Sequence, residues 1–472
     1  MIVPRRRALP LSLWLAALAA TSGALGNGRF PTAQMVQLST GPRPALIALR
    51  TTFGVLVGED DGRRWSWMCE DAFDYGRANV WDPPVALGSP GADGVPLLLG
   101  TPTGLRRAAG ACGSTAVPEV GTDYTADLSA TEDGRTVHWV GTFVDATTRA
   151  LVNRVRASDD GGRSFRTVYE GLPGVLFLTM EAAPSRPRRV YLTARAESPA
   201  RDLLYRSDDG AMTLTELPLD LRGGAEGWLS AVDPTDPDVV YLRSFEANPL
   251  QSREPGATLL LRSTDGGARF EELTRTAGAM RGFALSGDGR TVWVGGPDDG
   301  LLRSVDGGAF ERVSGVQVQC LRWHAGSLYV CGNHVVDGFN LARSDDGGRT
   351  MVPLVDFRRL GPPAGCAAGT AVREQCTPTW PTVQSGFGAL PDAGLDAGAD
   401  AGTDAGVAAP PTVDAGGCAV DARGGRARGS AGEGADGTAA LQTGVIDARG
   451  LHREGPEAAG EVGVAGGAGG GG

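Results

Sequence analysis

Ser158-Asp159-Asp160-Gly161-Gly162-Arg163-Ser164-Phe165 has the composition of a tight turn set between two strands. Asp-Gly-Gly supplies residues that tolerate positive φ. The Asp carboxylate can accept N–H bonds inside its own turn. The closing aromatic resumes the strand and packs between sheets. Good copies stand at Ser263–Phe270 and Ser344–Met351, a looser one at Ser207–Leu214, a copy one residue short at Ser304–Phe310, and a degenerate one at Glu59–Trp65. The key aspartates are Asp61, Asp160, Asp209, Asp265, Asp306 and Asp346. A carboxylate at such a turn is read as architectural rather than catalytic.

Outward from each turn lie short β-rich runs: Thr136–Val140, Arg189–Leu192, Val239–Leu242, Thr291–Val294 and Ser327–Val330. Turn signals such as Asp133-Gly134 and Asp288-Gly289 introduce several of them, and strands such as Leu203–Arg206 and Leu259–Arg262 lead into the boxes. No amphipathic helix interrupts the pattern. Successive key aspartates are 99, 49, 56, 41 and 40 residues apart. The first step is about double, so one unit has lost its box; Val95–Leu99 and Gly104–Arg107 supply its strands. Six steps between Asp61 and Asp346 average 47.5 residues and imply seven units. A four-stranded propeller blade needs about 40–50 residues, and circular packing hides sheet edges. The expected fold is all-β, a single propeller of seven blades of four antiparallel strands.

These boxes resemble the Asp-box (BNR) repeats of sialidase-like, sortilin-like and photosystem-assembly-factor-like propellers, over roughly residues 45–355. The resemblance speaks to fold, since this architecture hosts hydrolases, receptors and assembly factors alike.

The ends read differently. Arg5, Arg6 and Arg7 precede an apolar stretch from Ala8 to about Ala20, and Ala24-Leu25-Gly26 fits a small-x-small cleavage site. That is the pattern of a secretory signal, expected over 1–26, with an apolar run short for a membrane span. The propeller with a Cys-stapled closing segment is expected over 27–390, an Asp-Ala-Gly-rich linker over 391–417, and a low-complexity disordered tail over 418–472. The linker followed by Gly416-Gly417-Cys418 resembles the tails of myxobacterial secreted proteins, which continue into a hydrophobic helix and a basic end. Here Gly, Ala and charged residues follow instead, which suits either a truncated or frame-shifted tail or a released protein.

Export makes disulfides the first reading of the cysteines. With Ala325 and Gly326 as a two-residue hairpin loop, His324 faces Ser327, Arg322 faces Tyr329, and Cys320 faces Cys331 within disulfide reach. Cys366 and Cys376, close in sequence, are expected to staple a loop, and Cys69 and Cys112 pair by elimination, leaving Cys418 over. A zinc site from Cys320, His324, Cys331 and His334 would have the spacing C-x3-H-x6-C-x2-H, which matches no standard finger.

Composition narrows function by exclusion. All 44 basic residues are Arg, which removes every mechanism that needs a lysine amine. A net charge of −11, or −14 without the three leader arginines, argues against nucleic-acid binding. No cofactor or metal site is expected, and the mature chain is expected to be a monomer without a transmembrane helix. A sialidase-like glycosidase wants an arginine cluster, a Tyr–Glu pair and a further acid. The family's Phe/Tyr-Arg-Ile/Val-Pro motif has no match; Arg29-Phe30-Pro31 has the wrong order. His138 falls in a strand as a packed or surface residue, and the connection between Tyr241 and Ser263 reads as a variable rim loop. The expected role is a non-enzymatic binding or scaffold module, secreted or at the cell envelope, with a protein or glycan ligand. The alternative is a glycoside hydrolase of sialidase-like type.

Overall fold

The computed structural model describes residues 30–40, 45–74, 82–246, 256–363 and 365–388. The expected leader 1–26, linker 391–417 and tail 418–472 with Cys418 lie outside the described residues, as do residues 247–255 of the expected rim loop. The chain builds seven four-stranded antiparallel sheets, each a simple meander. Their first strands are β1 (Ala33–Leu38), β5 (Val85–Leu87), β9 (Tyr124–Ala130), β13 (Val175–Ala183), β17 (Gly224–Val232), β21 (Gly282–Leu285) and β25 (Cys320–His324). First strands of neighbouring sheets touch in the order β1, β5, β9, β13, β17 and again β21, β25, β1. They therefore ring a central axis, and the molecule is a seven-bladed β-propeller. The boxless unit is blade 2, whose strands β5, β6 (Leu97–Thr101), β7 (Gly104–Ala108) and β8 (Thr115–Ala116) pair in sequence.

Apolar residues between blades make the core. Val140, Val155, Phe177, Met180 and Leu192 fill the junction of blades 3 and 4. Tyr241, Leu260, Val292 and Val294 fill that of blades 5 and 6. Gly88, just past β5, shows how tight these junctions are: a Cβ there would lie 1.9 Å from the Gly161 carbonyl oxygen of blade 3.

Blade 7 closes the ring against blade 1, where Trp65 Nε1 donates to the Leu354 carbonyl at 3.2 Å. A segment beyond blade 7 reinforces the closure. Its helix α1 (Thr377–Ser385) follows a wider-wound π-helical turn, Val372–Cys376, and places Trp380 against Trp67 with centroids 5.2 Å apart. Phe387 packs on Phe53 and Phe357.

The disulfides correct two expected pairings. Cys320 and Cys331 are opposed in register and bonded. Cys376, however, is joined to Cys69, and Cys366 to Cys112, across 307 and 254 residues. Closure into a ring sets the last segment beside the first two blades, so proximity in sequence misled. Helix α1 was also unforeseen: Pro378 and Pro381 argue against a helix locally. Pro378 sits in the first turn, where a missing N–H is harmless, and the buried Trp380 anchors the remainder.

Candidate functional site

Two features could carry function: the Ser–Asp turns on one face, and the polar groups along the axis.

Four turns share one geometry. Asp160 accepts from Ser158 Oγ (2.7 Å), Arg163 N and Ser164 N (2.9 Å each) and Ser164 Oγ (2.6 Å). Ser158 Oγ itself accepts from Gly162 N at 2.8 Å. Asp209 is held by Ser207 and Thr213, Asp265 by Ser263 and Arg269 N, and Asp346 by Ser344, Arg349 N and Thr350. Burial works against ionisation of Asp160 and Asp209, yet these hydrogen bonds outweigh it and hold both at about 2. Three of the four turns are also tied to the first hairpin of their own blade: Gly161 N donates to Arg135 O, Gly210 N to Arg188 O, and Gly266 N to Asp238 O.

Asp61 and Asp306 differ. Asp61 takes the Ala45 amide at 2.7 Å, and Asp306 forms a two-pronged pair with Arg290 at 2.5 and 2.9 Å. In the shortened copy Ser304 Oγ donates to Gly308 O, because the missing residue removes the amides that Asp306 would otherwise collect. These six aspartates are spread round the ring, one to a blade, and do not converge.

The axis holds a pair of carboxylates that the sequence reading did not single out. Asp127 of β9 and Glu181 of β13 occupy neighbouring first strands. Asp127 accepts from Leu128 N and, across the blade junction, from Met180 N, both at 2.9 Å. Glu181 accepts from Ser129 Oγ at 3.2 Å. Both side chains retain some access to solvent, but protein encloses them. Burial pushes Asp127 up to about 7 against the opposing pull of these amides and of Arg50 from blade 1. Burial, and then the charge of Asp127, push Glu181 up to about 8 against Arg322 of blade 7 and Ser129. Arg50 of blade 1 and Arg322 of blade 7 are thus near enough to act on these carboxylates electrostatically. A signal existed: each acid is alone in a strand otherwise made of small, apolar or hydroxyl residues, Tyr124–Ala130 and Val175–Ala183.

The remaining candidates are structural. Cys320 and Cys331 are spent on their disulfide, and His334 is buried with Nε2 against Phe387 O and Nδ1 against Asn340, both at 3.0 Å. Among the described residues no group of three or more His, Cys, Asp or Glu is placed to hold a metal ion. His138 is 2% exposed, and burial lowers its pKa to about 4. Glu246, at the start of the rim loop, pairs with Arg275; Asn248, Gln251, Arg253 and Glu254 lie outside the described residues.

No protein-family model matches the chain, and no curated protein does. Solved structures similar to it include the GH74 xyloglucanase from Xanthomonas campestris, at 16% identity and a TM-score of 0.31, over 67% of this chain and 63% of that one. An ancestral GH74 enzyme is 14% identical with a TM-score of 0.45, over 71% of this chain and 56% of that one. YCF48 bound to D1 peptide is 16% identical with a TM-score of 0.34, over 50% of this chain and 68% of that one. The chain thus spans less than two thirds of either GH74 enzyme. Identities this low say nothing about chemistry.

Proposed function

We propose that the chain is an exported propeller of the Asp-box type that binds or scaffolds at the cell envelope or outside the cell, without catalysis. The carrying observation is how the axial carboxylates are used. Both Asp127 oxygens are occupied by backbone amides, one from each of two blades, as in a structural strut. Two disulfides that clamp the closing segment to blades 1 and 2 suit an oxidising compartment. No described helix is long and apolar enough to cross a membrane. The Ser–Asp turns act as architecture: their carboxylates are consumed by their own loops.

One observation favours the glycoside hydrolase reading. Glu181 holds its proton to about pH 8, as a general acid must, beside a second carboxylate. The deciding experiment incubates the purified protein with sialosides and with neutral aryl glycosides, alongside Glu181→Gln. No release of aglycone by either protein supports the binding reading. Turnover by the wild type that Glu181→Gln abolishes establishes the hydrolase. Export is checked by mass spectrometry of the mature N-terminus, with cleavage after Gly26 as the expected result.

A further inference from the structure

Blades 3 to 7 share a feature beyond the Ser–Asp turn. In each, an aromatic residue of the second strand is directly opposite an arginine of the third: Trp139 and Arg156, Tyr191 and Arg206, Tyr241 and Arg262, Trp293 and Arg303, Tyr329 and Arg343. Directly opposed side chains project from the same face of the sheet. At the junction of blades 4 and 5 this arginine ties the ring together, since Arg206 donates to the carbonyl of Gly266 in the next blade's turn at 3.3 Å.

The junction of blades 6 and 7 departs from this. There the corresponding carbonyl, Gly347 O, is taken by Trp293 Nε1 at 3.0 Å. Arg303 is left half-buried and, among the described residues, makes no hydrogen bond or ion pair. Trp323 of blade 7 lies flat on Trp293, with centroids 5.0 Å apart and planes 16° from parallel. Beside this stacked pair is a hollow of about 480 Å³, bordered by Trp293, Trp323, Arg303, Asp288, Asp345 and Gly326. That falls within the range of about 300–1,000 Å³ typical of small-ligand sites.

We propose that this hollow binds a short neutral oligosaccharide, an assignment that rests on the binding-module reading above. The stacked indoles of Trp293 and Trp323 give the hollow an apolar aromatic wall against which the C–H side of a pyranose ring packs. Arg303 brings unspent donors. Asp288 uses Oδ1 on Ser286 Oγ and Arg290 N, and its other oxygen is free of such bonds. Donor and acceptor beside one aromatic platform match the paired hydroxyls of a sugar. Asp345 is paired with Arg343 at 3.2 Å, so Asp288 and Asp346 are left to disfavour an anion in the hollow, while Arg303 disfavours a cation.

The test uses the full mature chain on an array of neutral and acidic glycans, followed by titration calorimetry with cellotetraose, xylotetraose, mannotetraose and maltotetraose. Arg303→Gln and Asp288→Asn are the site variants, and Gly361→Ala, with open space at its Cβ, is the remote control. The expected result is binding of at least one neutral glycan, weakened about tenfold by either site variant and unchanged by the control; tenfold corresponds to one hydrogen bond of about 1.4 kcal/mol. Arg303 carries no structural bond and Asn retains the turn acceptor, so both variants should melt with the wild type. Absence of neutral glycans among the hits, binding confined to acidic glycans, or neutral binding indifferent to both site variants overturns the assignment. Cleavage of a bound glycan would instead overturn the non-catalytic reading, while a loss of affinity in Arg303→Gln would still uphold the site.

Discussion

Asp160 gathers four donors onto one carboxylate, two of them backbone amides within four residues of itself. Such an acceptor resembles a helix N-cap, and replacing it strands several donors at once. Because the site is open to water, Asp160→Ala should cost only about 1 kcal/mol. Its pKa lies below the unfolded value, so the contribution is present above about pH 4 and disappears as pH falls towards 2. Urea titrations should separate variant from wild type at pH 7 and not at pH 2; an equal gap at both would contradict the carboxylate's role. This scale was the most legible, because a Ser, an Asp and two glycines within five residues encode their geometry locally. Asp306 shows the limit: one deleted residue redirects the carboxylate to Arg290. The partner, 16 positions away, carries no local signal.

Among the elements, the closing segment has the largest effect for its length. It carries one short helix and half of two disulfides. In the chain-entropy account, the first of these cross-links constrains the unfolded chain by about 5–6 kcal/mol, and the second by about 4, because it then closes a loop of only about 50 residues. Cys366→Ser alone should therefore lower stability less than the Cys366→Ser, Cys376→Ser double variant, and the two effects should not add. Denaturant midpoints measure this; strictly additive losses would show that the cross-links act independently. The pairing was illegible because it depends on ring closure, which brings residues 307 apart to a Cα–Cα distance of 5.4 Å. The hairpin pair Cys320–Cys331 was legible because register alone sets it.

For the whole molecule, two quantities follow from the ring: its junctions and its axis. Gly88→Ala should destabilise by about 1–3 kcal/mol, since the added methyl meets the Gly161 carbonyl of the next blade and blades cannot separate singly. Gly361→Ala, with open space at its Cβ, is the control and should be neutral; equal melting temperatures for both would contradict a tight junction. The axial acids set the pH response above 4. Asp127 and Glu181 are neutral in folded and unfolded chains alike below about pH 4, so they cost nothing there. Above about pH 4 the unfolded chain ionises them while the folded protein holds their protons to about 7 and 8, so stability falls across that interval and levels off once both are ionised in the fold. Melting temperature should drop between pH 5 and 8.5, and Glu181→Gln should flatten that slope; an unchanged slope would remove Glu181 as its source. The number of blades was readable from spacing, because each unit repeats its own turn. The axial pair was not, since Asp127 and Glu181 meet only when β9 and β13 stand side by side.

The order of synthesis gives the long cross-links a hazard of their own. Cys69 and Cys112 emerge first and must remain thiols while more than 250 further residues are made before their partners exist. During that wait each is the other's nearest available thiol, so the bond between them is the accessible mistake. Correct maturation thus calls for an isomerase or a reducing interval, and unaided oxidation of the nascent chain should accumulate an unclosed ring.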